Sequence, residues 1–82
     1  MAQEVTFEYT NHEGVTSVRT VMIDRISWWD EPDFGYAPGW FATGFCLDRQ
    51  AIRSFKMDPA HMRPVPGVPL SGFGHFILAQ VR

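Results

Sequence analysis

The chain has 82 residues, a formal net charge of −2, 45% hydrophobic and 15% aromatic side chains. That length holds one core and excludes a second, while the composition argues against disorder, and the acidic total argues against strong sequence-independent DNA binding, which relies on many phosphate contacts. No apolar run approaches the ~20 residues of a membrane-spanning helix, Cys46 has no second cysteine to pair with, and MAQEVTFEYT lacks the basic and apolar regions of a secretory signal; residues 1–82 are expected to form a single soluble, cytoplasmic domain with no membrane association.

Val5, Phe7 and Tyr9 alternate with Thr6, Glu8 and Thr10, the period of a half-buried strand. Asn11-His12-Glu13-Gly14 follows as a turn in which Gly14 is free to take a positive φ. A second strand returns through residues 15–23. Val18 and Met22 fall on one of its faces and Val21 and Ile23 on the other, so either a bulge near Arg19 or burial on both faces is expected. Ile26, Trp28 and Trp29 continue the strand or begin its bend. Residues 30–39, DEPDFGYAPG, hold two prolines, two glycines and three acids, and predict a loop. Its aromatics, Phe34 and Tyr36, either cap the core or offer rings to a ligand.

Residues 40–57, WFATGFCLDRQAIRSFKM, read as an antiparallel hairpin turning at Asp48-Arg49-Gln50-Ala51. Cys46, between Phe45 and Leu47, reads as a small buried hydrophobe. In the second strand Ala51, Arg53, Phe55 and Met57 share one face. A buried guanidinium without a partner costs several kcal/mol, roughly, so Arg53 must meet a carboxylate, carbonyls, water or a ligand. Asp24 and Asp58 are the candidate acids; a binding groove is the alternative. Asp58 and Pro59 then suit the N-cap and first position of one helical turn over residues 58–62. Residues 63–74 predict a loop, and HFILAQV, residues 75–81, a closing strand or a short helix. Five short aromatic strands favour an all-β fold, a small closed or nearly closed barrel with one short helical turn, because closure removes exposed edges.

The run Trp40-Phe41-Ala42, a short strand, a charged turn and Arg53-Ser54-Phe55-Lys56-Met57-Asp58 resembles the signature hairpin of the WYL-domain family, named for a Trp-Tyr-Leu run. Upstream, Phe7-Glu8-Tyr9-Thr10-Asn11-His12-Glu13-Gly14 and Ser17-Val18-Arg19-Thr20-Val21 resemble its opening hairpin, so the likeness covers roughly residues 5–60. It implies an Sm-like five-stranded β-barrel core and a regulatory module of bacterial or phage proteins whose basic and aromatic groove engages nucleic acid or nucleotides. Three positions depart from the family: Ala42 replaces the bulky third letter, Asp24 stands near a family proline, and Pro59 stands where many members carry a second arginine. Arg63 or His61 is left as a substitute for that charge. No helix-turn-helix is expected within residues 1–82.

Two arginines against seven acids give residues 1–33 a balance of −5, and five basic residues against two acids give residues 34–82 a balance of +3. Either the halves neutralise each other across one small fold, or the second half builds a local positive face. Catalysis is not expected. His12, His61, His75 and Cys46 lack a zinc-ligand spacing, no cofactor or nucleophile motif occurs, and Asp30, Glu31 and Asp33 lie on a solvated loop that is a poor place to raise a pKa. The candidate ligand-binding set is Arg19, Trp40, Phe41, Arg49 and Arg53, in which guanidinium forks would take phosphate and rings would stack bases. The expected ligand is a nucleotide or single-stranded nucleic acid. Against this stand an internal ion pair for Arg53 and a core position for Trp40 and Phe41. The competing function is a protein-interaction module, in which an open strand edge takes a protein partner or a homodimer mate.

Overall fold

Period-two burial decides the first hairpin. In the computed structural model, which describes residues 3–68, β1 (Gln3–Thr10) buries Val5, Phe7 and Tyr9 and turns the residues between them toward solvent. β2 (Thr16–Trp29) pairs with it in unbroken antiparallel register, setting Arg19 opposite Phe7 and Val21 opposite Val5 on the buried side. Asn11 shapes the turn between them. Its carboxamide oxygen accepts hydrogen bonds from the backbone nitrogens of Glu13 and Val15 at 2.9 and 3.0 Å, and Gly14 takes a φ of 81°.

β2 does not stop at Ile23, and its irregularity is not near Arg19. Against β3 (Gly39–Cys46) the register runs Ile23↔Gly44 and then Arg25↔Thr43, so Asp24 is the extra residue of a bulge. Gly44 permits this. A Cβ there would collide with the Met22 carbonyl and the Ile23 backbone, so the two chains approach each other at a spacing only glycine allows. The bulge lets β2 continue through Trp28 and Trp29, beyond the reach of a regular alternation.

β3 turns into β4 (Ala51–Lys56) through residues 47–50, with Gln50 at a φ of 54°. The turn is tied to the neighbouring strand: the Asp48 carboxylate accepts the Thr20 backbone N–H at 2.7 Å, and the Leu47 N–H donates to the Thr20 carbonyl at 2.9 Å. After β4 comes the turn expected from Asp58. Its carbonyl accepts from the nitrogens of His61 and Met62, and its carboxylate accepts from that of Ala60. One turn is all that forms, and the described residues contain no helix. β5 (Met62–Arg63) then pairs with Glu8 and Tyr9 of β1, where a loop from residue 63 was expected. The strand expected at residues 75–81 lies outside the described residues.

The five strands form one antiparallel sheet in the order β4-β3-β2-β1-β5. It curls until strands that are not neighbours touch. Phe55 of β4 meets Phe7 and Tyr9 of β1 edge-to-face, with ring centroids 5.2 and 4.9 Å apart. These rings, with Val5, Val21, Ile23, Met57, Met62 and the free thiol of Cys46, make the core. Burying each large apolar side chain contributes roughly 1.5–3 kcal/mol. Among the described residues no ladder joins β4 to β5, so the five strands form an open sheet, and the strand expected to complete a closed or nearly closed barrel is the one outside the described residues. A two-residue β5 is too short to seal that edge. No helix among the described residues is long and apolar enough to cross a membrane.

Candidate functional site

The curl leaves one cleft of about 510 Å³, within the size range of small-ligand pockets. Arg19, Arg49 and Arg53 all line it. They come from β2, from the β3–β4 turn and from β4, and the ties between Thr20 and residues 47 and 48 hold that turn against β2 near Arg19.

The three guanidinium groups are not equivalent. Arg53, which shares a strand face with Phe55 as the alternation predicts, is exposed, as is Arg49. No carboxylate of the described residues pairs with Arg53: Asp24 is exposed, and Asp58 sits 3.9 Å from the Lys56 amine instead. The internal ion pair offered as the alternative for Arg53 is therefore not found among the described residues. The buried arginine is Arg19, only 7% exposed. Its Nε donates to the Ser17 hydroxyl at 2.8 Å, its guanidinium carbon lies 5.9 Å from the centre of the Phe55 ring, and no described carboxylate reaches it within ion-pair distance. The burial expected of Arg53 thus falls on Arg19, which has a hydroxyl and a ring face but no described carboxylate beside it, and no described buried side-chain nitrogen is left without a hydrogen-bond partner.

Rings form much of the remaining wall. Phe41 is buried but belongs to the cleft, where Trp29 stacks on it at 4.5 Å and Tyr36 meets it edge-on at 5.7 Å. The Lys56 amine lies 5.6 Å from the centre of the same ring and donates to the Pro38 carbonyl at 3.2 Å, pinning the loop beside it. Phe34 and His12 stack at 4.4 Å and contribute to the cleft with the acids Glu13 and Asp33. Trp40 does not line it. Trp40 is 51% exposed and packs edge-to-face on Trp28, its partner across the β2–β3 ladder, so neither the groove position nor the core position expected for it is found. Trp40 has the parity of the buried Ala42 and Cys46, so a fixed period does not register its exposure.

Tyr9 closes the floor. Its hydroxyl donates to Tyr36 Oη at 2.9 Å and accepts from the Lys56 backbone nitrogen at 2.9 Å. Burial, reinforced by the bond to Tyr36, pushes the phenol far above its ordinary pKa, so Tyr9 stays protonated at neutral pH. Arg63 and His61 do not supply a further charge to the cleft. Arg63 pairs with Glu8 at 3.1 Å and donates to the carbonyls of Pro59 and Ala60, while His61 Nδ1 lies 2.8 Å from the Thr10 carbonyl and must carry the proton. The described residues contain no group of three or more His, Cys, Asp or Glu placed to hold a metal ion.

Alternation foresaw the orientation of Arg53, and the loop aromatics Phe34 and Tyr36 were open to a ligand role from their position alone. Trp29 and Tyr9 carried no such signal. Comparison with protein-family models, with curated proteins and with solved structures returned no match.

Proposed function

We propose that this chain is a non-catalytic binding module, similar to a WYL domain, that recognises a nucleotide or short single-stranded nucleic acid. The observation that carries this reading is the convergence of Arg19, Arg49 and Arg53 with Phe41, Trp29 and Phe34 on one cleft. Guanidinium groups take phosphate oxygens in bidentate pairs, and flat rings stack bases with little regard to their identity. A buried arginine that lines the cleft and has no described counter-ion supports an anion site there. The family likeness adds a Sm-like small barrel as the full architecture and regulation of transcription as the setting. A reducing cytoplasm suits its free, buried Cys46.

Arg53→Ala tests the reading, because an exposed side chain can be removed with little effect on folding. The variant should keep the circular dichroism spectrum and unfolding midpoint of the parent while losing affinity for a fluorescent oligothymidylate and for AMP. Unchanged affinity in a folded variant counts against the cleft.

A second reading rests on a different observation. β4 ends the sheet, so one side of its backbone has no ladder partner among the described residues, and Ile52 on that strand is 64% exposed. A protein partner or a second copy adding a strand there would make the chain an interaction module. A monomer mass by light scattering at high concentration, with no change on adding candidate partners, would remove it.

A further inference from the structure

Charge is unevenly spread around the cleft. Arg19, Arg49 and Arg53 face it, but so do Glu13 of the first turn and Asp33 of the loop after β2. A polynucleotide laid along this wall carries a phosphate at every step and would bring some of them toward those carboxylates, a like-charge contact that costs affinity. One terminal phosphate meets no such obstacle. A phosphomonoester also carries about −1.5 to −2 charges and three free oxygens, against the single charge of a diester within a strand. Arg19, nine-tenths buried and unpaired among the described residues, suits the group with the greatest charge and the most acceptors.

The ring at the acidic side has its own peculiarity. Phe34 is 70% exposed and holds a φ of 60°, a left-handed conformation that a bulky side chain rarely adopts. It is held there by stacking on His12, with the planes only 19° apart. Such outliers gather at ligand clamps, and this one presents a flat ring to the cleft that the three arginines line.

We propose that the cleft reads the phosphorylated end of a nucleotide: Arg19 and Arg53 grip a terminal phosphomonoester, and the attached base stacks on Phe34. The nucleotide is either free or the last residue of a single strand. This rests on the nucleotide reading above and narrows it from strand binding to end recognition.

The full chain is titrated with AMP, adenosine, inorganic phosphate, and oligothymidylates carrying or lacking a terminal phosphate. AMP should outbind both adenosine and phosphate, and the phosphorylated strand its hydroxyl-ended counterpart by about tenfold or more, the ratio expected of one or two charge-assisted hydrogen bonds. AMP should displace the phosphorylated strand. Affinity should fall with salt with a slope of roughly one or two rather than the steeper slope of a tracked backbone. Phe34→Ala, an exposed change, should weaken AMP but not inorganic phosphate, and Arg19→Gln should abolish the preference for the phosphorylated end. If both strands bind equally and AMP does not compete, end recognition is overturned while nucleic-acid binding stands. If AMP and inorganic phosphate bind equally, the base subsite is overturned. If no probe binds the folded protein, both this inference and the nucleotide reading fall.

Discussion

The Tyr9 hydroxyl accepts the backbone N–H of Lys56 at 2.9 Å, joining β1 to β4 although two strands lie between them in the sheet. It also donates to Tyr36, so one side chain fixes the curl of the sheet and the position of the loop over Phe41. Tyr9→Phe keeps the ring and deletes the bridge, leaving the Lys56 N–H without this partner. The variant should be less stable by about 1–3 kcal/mol in urea denaturation, and the cleft should open, raising the accessibility of the Trp29 and Phe41 pair to a collisional quencher. A loss below the error of the measurement would mean that water replaces the bridge without cost.

The same burial sets a pH dependence. Folding raises the Tyr9 phenol above its ordinary 10.0, first through burial and then through the bond to Tyr36. The unfolded chain therefore releases this proton before the folded one does. The contribution is complete below pH 10 and is lost as pH climbs above that value toward the raised folded pKa. Urea midpoints measured on either side of pH 10 should fall on the alkaline side, and the fall should be shallower in Tyr9→Phe. Equal slopes in the two proteins would exclude Tyr9 as its origin.

Two glycines of β3 should respond to alanine very differently. At Gly39 the added Cβ meets the Lys56 amine, the far end of a flexible side chain. That amine is buried and donates to Pro38, so moving it costs about 1–2 kcal/mol rather than nothing. At Gly44 the Cβ meets the backbone of Met22 and Ile23, which cannot swing aside without breaking the β2–β3 ladder at its bulge. Gly44→Ala should therefore cost more than about 3 kcal/mol or prevent folding. Thermal melts of the two variants rank the effects, and a reversed order would refute the close approach.

Much of this was legible from the residues, and the failures share a cause. Val5, Phe7 and Tyr9 declared β1 because a regular strand repeats every two residues. The same period put Arg53 beside Phe55, while the expectation of a bulge near Arg19 left open the face of that residue, which proves to be the buried one shared with Val21 and Ile23. What it could not weigh was depth: Arg53 lies on the terminal strand of the described sheet and stays exposed, whereas Arg19 lies two strands inward. Asp24 gave no sign of the bulge, whose origin is the Gly44 contact twenty positions later. Trp40 shares the parity of the buried Ala42 and Cys46 yet is half exposed, which alternation alone does not report. β5, at two residues, spans a single strand period and so shows no repeat. Phe34 reads as a ring on a loop, and nothing in a sequence reports a positive φ at a phenylalanine.

Arg63 should matter more than the acid it pairs with. The Arg63–Glu8 pair at 3.1 Å is about a third exposed on each side, so by itself it is worth under about 1 kcal/mol. The guanidinium also donates to the carbonyls of Pro59 and Ala60 and to the Thr10 hydroxyl, closing the Asp58 turn onto β1. Glu8→Ala should cost less than about 1 kcal/mol and Arg63→Ala about 1–3 kcal/mol in chemical denaturation. Equal losses would assign the whole effect to the ion pair.

Arg19 sets stability against binding. Nine-tenths buried beside Phe55 and without a carboxylate among the described residues, its guanidinium gives up part of its hydration and gains a hydrogen bond to Ser17 and a ring face rather than an ion pair, with no described buried side-chain nitrogen left without a partner. A flexible apolar side chain of similar length fills the same space without that cost, and replacing buried ionic groups by hydrophobes is often neutral or stabilising by about 1–4 kcal/mol. Arg19→Met should therefore raise the unfolding free energy by about 1 kcal/mol, measured without added phosphate or nucleotide, while its affinity for AMP drops by about tenfold or more. Added AMP should then stabilise the parent protein and leave the variant unchanged, because a ligand stabilises only the fold that binds it. A variant both less stable and unaltered in AMP affinity would mean that Arg19 is held for the fold, and its burial would need a structural partner rather than a ligand.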